Sequence, residues 1–210
     1  MNKLTLATIL LLPITCFGSS FEEELVSAAK DRTKHHVIYD GSYVSISYPG
    51  GDVSPNKGVC TDVVIRSYRA LGVDLQVLVH EDITDNFDLY PSKTIWGLSK
   101  ADKNIDHRRV PNLQTFFSRY GTVLPITEDP EDYSPGDLVT WMLPGKRPHI
   151  GIVVDEYSSE TGTPLIVHNV GRGPRMENKL FLYEITGHYR FVPEKYKNYD
   201  IQNGETPSLE

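Results

Sequence analysis

The apolar periodicity of this chain changes once, near Tyr133, and that change restricts the folds open to it. Before it, apolar residues recur at helical spacing: Phe21, Leu25, Ala28 and Ala29; Val64, Tyr68 and Leu71 ahead of Gly72; a short run over 75–81; and Leu113, Phe116, Phe117 and Tyr120 ahead of Gly121. After it, residues 138–142, 149–154 and 164–170 form short strand-like runs separated by turns rich in Gly, Pro or Ser. Residues 180–185 and 188–192 add two more candidates. Residues 39–48 alternate weakly and predict one or two further short strands before the break at Pro49-Gly50-Gly51-Asp52. Helices first and an antiparallel meander second is the pattern of an α+β domain.

The chain opens with a positive Lys3, an apolar stretch over 4–14 and small residues at Gly18, Ser19 and Ser20, the pattern of a secretory signal peptide over 1–20. The stretch is shorter than the roughly 20 residues a membrane anchor needs, so no stable membrane insertion is expected. A rival reading makes Cys16 a lipid-modified first residue, but Thr15 stands where a small residue usually precedes such a cysteine. Residues 21–195 then form one domain, with an elaboration over about 73–130, and 196–210 form a polar tail. The expected location is the periplasm or the outside of the cell.

Of 21 basic and 28 acidic residues the leader holds only Lys3, so its removal leaves a net charge of −8. An acidic chain without basic runs argues against nucleic acid as a partner. Removal of the leader also takes Cys16 and leaves Cys60 as the only thiol. An exported protein normally pairs its cysteines, so a lone thiol is inert and buried, paired to another chain, or kept because it is used.

Cys60 stands in the first turn of a predicted helix, where free N–H groups and the helix dipole favour a thiolate. A thiol of pKa about 8.5 is roughly 3% ionised at pH 7, and one near 6 is roughly 90% ionised. His149 begins one predicted strand and His168 lies near the end of the next. Adjacent antiparallel strands can bring such residues together, His149 as base and His168, or Asn169 beside it, as the group that orients it.

Asp106-His107-Arg108-Arg109 is a second cluster, readable as a carboxylate-binding site or as an internal salt-bridge knot, and the knot is favoured. Asp52 and Asp62 suit support of the loop and helix start around Cys60. No phosphate-binding loop, dinucleotide fingerprint or serine nucleophile elbow is present, so no cofactor is expected. A metal hydrolase using His107, His149, His168 and an aspartate is a weaker alternative, because no short ligand pair appears.

The motifs Gly58-Val59-Cys60-Thr61-Asp62, Pro135-Gly136-Asp137-Leu138-Val139, His149-Ile150-Gly151-Ile152-Val153-Val154 and His168 resemble the NlpC-type branch of papain-like cysteine peptidases. Tyr48-Pro49-Gly50-Gly51-Asp52, Asp74-Leu75-Gln76, Asn104-Ile105-Asp106-His107-Arg108-Arg109 and Gly187-His188-Tyr189 resemble, over most of the chain, an exported bacterial family of unknown function typified by YijF. The resemblance implies a papain-like fold in which the helix bearing a nucleophilic Cys60 packs on an antiparallel sheet, with His149 as base and His168 as third member. It also implies an amide-cleaving hydrolase whose substrate is a peptidoglycan stem peptide. The stretch between Cys60 and His149 is longer than usual for that branch, and no wall-binding repeat is present. The alternative is an inactive papain-like domain that binds wall peptides or a protein partner.

Overall fold

The computed structural model describes residues 19–197. The expected leader, apart from Ser19 and Ser20, and the tail beyond 197 lie outside them. Helix α1 (Phe21–Arg32) starts at Ser20, whose hydroxyl accepts from the Glu23 N–H while the Glu23 carboxylate accepts from the Ser20 N–H. Helix α2 (Cys60–Ala70) buries Val63, Val64 and Tyr68, and the Tyr68 hydroxyl donates to the Phe191 carbonyl at 2.9 Å.

The elaboration is helical: α3 (Leu75–Asp85) and α5 (Val110–Tyr120) fall where the periodicity predicts helices, and α4 (Ser92–Trp96) and a 3-10 turn at Asp106–Arg108 lie between them. Pro111 sits in the first turn of α5, where its missing N–H costs nothing.

Of the 39–48 region only Tyr39 lies in a strand. Strand β1 (Ile38–Tyr39) pairs in parallel with β2 (Lys57–Gly58), just ahead of α2. The expected strands beyond Tyr39 do not form; residues 40–47 run as a loop.

The main sheet contains β3 (Thr122–Val123), β4 (Leu138–Leu143), β5 (Arg147–Tyr157), β6 (Pro164–His168), β7 (Arg175–Glu177) and β8 (Glu184–Arg190), in the order β3-β8-β4-β5-β6-β7 and antiparallel throughout. The meander therefore holds from β4 to β7. The chain then returns across the sheet to pair β8 with the other edge of β4. The two strands expected over 180–185 and 188–192 are one strand; Leu180 is instead buried beneath the loop before it, where the Trp141 indole donates to its carbonyl at 2.8 Å.

Apolar alternation along β5 sorts two cores. Ile150, Ile152 and Val154 pack with α1, α2, α3 and α5, whereas Val153 joins Val139, Trp141, Ile166 and Tyr133 on the opposite face. Full burial of each such side chain is worth about 1.5–3 kcal/mol, enough to fix the strand register. The fold is thus α+β, with the Cys60 helix packed on an antiparallel sheet and a helical insertion. Among the described residues no helix is long and apolar enough to cross a membrane.

Candidate active site

Val59, the residue ahead of α2, has no side-chain oxygen to cap the helix, and Asp62 does the work from the third position: its carboxylate accepts from the Val59 N–H at 2.6 Å. The same carboxylate receives Arg108 as a fork, Nε to Oδ1 at 2.8 Å and Nη2 to Oδ2 at 2.9 Å, with both side chains buried. Thr61 adds a hydrogen bond from its hydroxyl to the Arg108 carbonyl at 3.1 Å. Gly58 lets the chain pass close to this cluster, since a Cβ there would stand 3.1 Å from both Cβ and Oδ2 of Asp62. The start of the Cys60 helix is therefore bolted to the insertion.

On the sheet, β6 leaves the ladder after the Ile152–Val167 pair. The Ile150 N–H lies near the Cys60 sulfur and favours its thiolate, as do the N–H groups of Cys60 and Thr61.

His149, one residue earlier, packs on Trp141 with ring centroids 6.0 Å apart. Its Nε2 is 2.8 Å from His168 Nδ1, and His168 Nε2 is 3.0 Å from Glu177 Oε2 on β7. Gly151 permits the close pairing: a Cβ there would collide with Ile166 Cγ2 at 2.6 Å and lie 3.1 Å from His168 Cβ.

The chain of contacts fixes its own proton order. A carboxylate only accepts, so His168 carries its hydrogen on Nε2 and presents a lone pair at Nδ1; His149 must then donate from Nε2 and keep its lone pair on Nδ1. The nitrogen left for Cys60 is thus in the base form. Among the described residues no hydrogen bond joins it to the Cys60 sulfur, which has backbone N–H groups nearby.

The expected depression of the thiol pKa is overturned. Cys60 is buried, and burial pushes its pKa up to about 11, with Asp62 adding to the rise; the N–H of Ile150 pulls the other way and is outweighed. Burial, with the charges of His168 and Arg147, takes His149 down to about 3. Burial also lowers His168, opposed by Glu177. At neutral pH the resting pair is a neutral thiol and a neutral imidazole.

The family described as Domain of unknown function (DUF1287) matches residues 26–191, which span every element above except the start of α1, while a short α6 (Glu194–Lys197) lies beyond the match. The chain belongs to that family. It is similar to the "Uncharacterized protein YijF" of Escherichia coli (strain K12), 48% identical over 167 residues that cover 80% of each chain. Among solved structures it is similar to "Structure of NlpC1 from Trichomonas vaginalis", at 14% identity and a TM-score of 0.47, covering 84% of this chain; it spans 46% of that protein's length.

In this DUF1287 chain the remaining expected residues divide. Asp52 takes Arg66 as a fork and also meets Arg69, holding the loop ahead of α2. Asn169 does not orient His149. Its amide donates to the Gly58 carbonyl at 3.4 Å and its oxygen accepts from the Gly171 N–H, so it ties the end of β6 to the Cys60 loop. Asp106, His107 and Arg108 are buried as a knot, whereas Arg109 lines a surface groove. His107 lies among the charges of Asp62, Asp74, Arg69 and Arg108, and burial pushes it down to about 4. The ligand set imagined from His107, His149 and His168 is not assembled; among the described residues no group of three ligating side chains is arranged for a metal.

Two participants escaped the sequence reading. Glu177 lies on a three-residue strand after a loop containing Gly171, Gly173 and Pro174, where no alternation is long enough to register. Tyr39 stands close enough to Cys60 for the sulfur's charge to act on it, and burial takes its hydroxyl up to about 12.

Proposed function

We propose that this protein is an exported cysteine hydrolase that cleaves an amide bond, most specifically in peptidoglycan stem peptides. The observation that carries the reading is the ordered run His149–His168–Glu177, which leaves a lone pair on His149 Nδ1, one residue from the Ile150 N–H that lies near the Cys60 sulfur. Cys60 Sγ attacks the carbonyl carbon as its proton passes to His149 Nδ1. The developing imidazolium is stabilised through His168 by the Glu177 carboxylate, and the same proton is returned to the amine nitrogen as the C–N bond breaks. Water, deprotonated by His149, then releases the acid and restores the thiol. Export and the wall-peptide substrate are supported by the leader-like first twenty residues and by the sequence motifs.

The test is digestion of purified peptidoglycan fragments by the mature protein, read by mass spectrometry, beside Cys60→Ala and Glu177→Ala. Amide cleavage absent in the first variant and slowed at least tenfold in the second is expected; identical products from all three would overturn the reading. A second reading, a papain-like domain that binds wall peptides without cleaving them, is favoured by one observation, the burial of a protonated Cys60. It predicts fragment binding that survives Cys60→Ala with no cleavage by any form.

A further inference from the structure

The Asp106-His107-Arg108-Arg109 motif splits at its last residue. Arg108 spends its fork on Asp62. Arg109 makes one hydrogen bond, from Nη1 to Asp106 at 3.1 Å, which leaves Nε and Nη2 unspent. Asp106 is fully committed: it also accepts from the Asp102 N–H at 2.5 Å and from Asn112. The guanidinium carbon lies over the partly exposed Trp96 ring, 4.2 Å from its centroid, so the ring backs the group on one side.

This residue lines a groove of about 340 Å³ whose other walls are Gly41, Tyr43, Val59, Ile105 and Arg108. Val59 immediately precedes Cys60, so the groove opens beside the nucleophile loop. The Tyr43 hydroxyl accepts from Asn104 Nδ2 at 2.8 Å and keeps its own hydrogen to donate. Gly41 keeps that wall low, a Cβ there being 3.5 Å from Val59 Cγ1.

We propose that this groove is a subsite for a free carboxylate of the substrate, held by Nε and Nη2 of Arg109 and by the Tyr43 hydroxyl. Two parallel N–H donors on a fixed plane match a carboxylate. The single guanidinium charge, shared with Asp106, suits a monoanion better than a phosphate. The subsite rests on the hydrolase reading only for its place beside the scissile bond, and it makes that enzyme selective for peptides carrying a carboxyl group at a fixed distance from the cleaved amide.

The experiment measures alkylation of Cys60 by bromoacetyl-glycine, bromoacetyl-diglycine and bromoacetyl-triglycine, each as acid and as amide. The acid-to-amide rate ratio within one protein cancels general changes in thiol reactivity. One length is expected to favour the acid at least tenfold in the wild type. The preference should vanish in Arg109→Gln, weaken in Arg109→Lys, which keeps the charge but loses the fork, and weaken in Tyr43→Phe, where an exposed side chain is altered. In parallel, calorimetry with acetyl-triglycine and its amide on Cys60→Ser reads the subsite without the thiol. Ratios near one at every length, with equal binding of acid and amide, overturn the subsite. Arg109-dependent binding of the acid with no alkylation at any pH would sustain the subsite and overturn the hydrolase reading instead.

Discussion

At Cys60 two effects of opposite sign meet. The first turn of α2 and the Ile150 N–H favour a thiolate, and burial opposes it; burial is larger, so the thiol rises to about 11. A free thiol of that pKa is ionised in roughly one molecule in ten thousand at pH 7, too few to support attack unless a base takes the proton during the reaction. His149, lowered to about 3, holds an available lone pair throughout the neutral range. The rate of Cys60 alkylation by iodoacetamide should therefore be nearly flat from pH 5 to pH 9. In His149→Ala it should climb about tenfold per pH unit, as a thiol without a base must. A wild-type rate that itself climbs tenfold per unit would mean that the imidazole does not reach the sulfur.

At the scale of elements, the decisive joint is the fork between Arg108 of the insertion and Asp62 of α2, 46 residues apart in sequence and both buried. Removing one member leaves an unpaired buried charge, and Arg108→Ala is expected to cost about 3–5 kcal/mol. Adding Asp62→Leu to it should cost less than the two single changes summed, because the stranded charge is gone. Urea unfolding of the four proteins checks this, and strict additivity would mean that the pair is not coupled. The joint also explains what the sequence could and could not disclose. Helices α1, α2 and α5 were legible because each carries an apolar stripe, and α2 and α5 also carry a stop signal at Gly72 and Gly121. His149 and His168 were legible as neighbours because strands β5 and β6 are sequential. Pairing of β1 with β2, of Asp62 with Arg108 and of His168 with Glu177 depends on loops closing over stretches with no period, and only the folded chain brings them together. The thiol pKa was misread for a related reason: position in a helix is visible in sequence, but depth of burial is not.

Over the whole molecule, burial keeps several histidines neutral in the fold, and that links stability to pH. His107 is lowered to about 4 and His149 to about 3, and His168 is lowered as well. His107 Nδ1 has no hydrogen-bond partner, so a proton placed there would be buried without an acceptor. In the unfolded chain all three would bind protons below about pH 6.5, while the fold refuses them at His107 and His149 until the pH is far lower and disfavours the one at His168. Between about pH 6.5 and 4 the unfolded state therefore holds more protons, and stability must fall as pH falls, by up to about 3 kcal/mol per unit from His107 and His149 together, with His168 adding to it. Two carboxylates bear on the lower end. Asp106, raised by burial, offsets part of the loss. Asp82 is depressed, because Arg119, Tyr90 and Tyr120 outweigh its burial, and it adds to the loss only within the carboxylate range. Calorimetric melting should show Tm dropping steeply from pH 6.5 to 4.5, and His107→Gln, which removes one of the refused protons, should make that slope clearly shallower. A Tm that stays level across this window would show that the buried imidazoles take up protons within the fold, and the neutral pair assigned to Cys60 and His149 would fall with it.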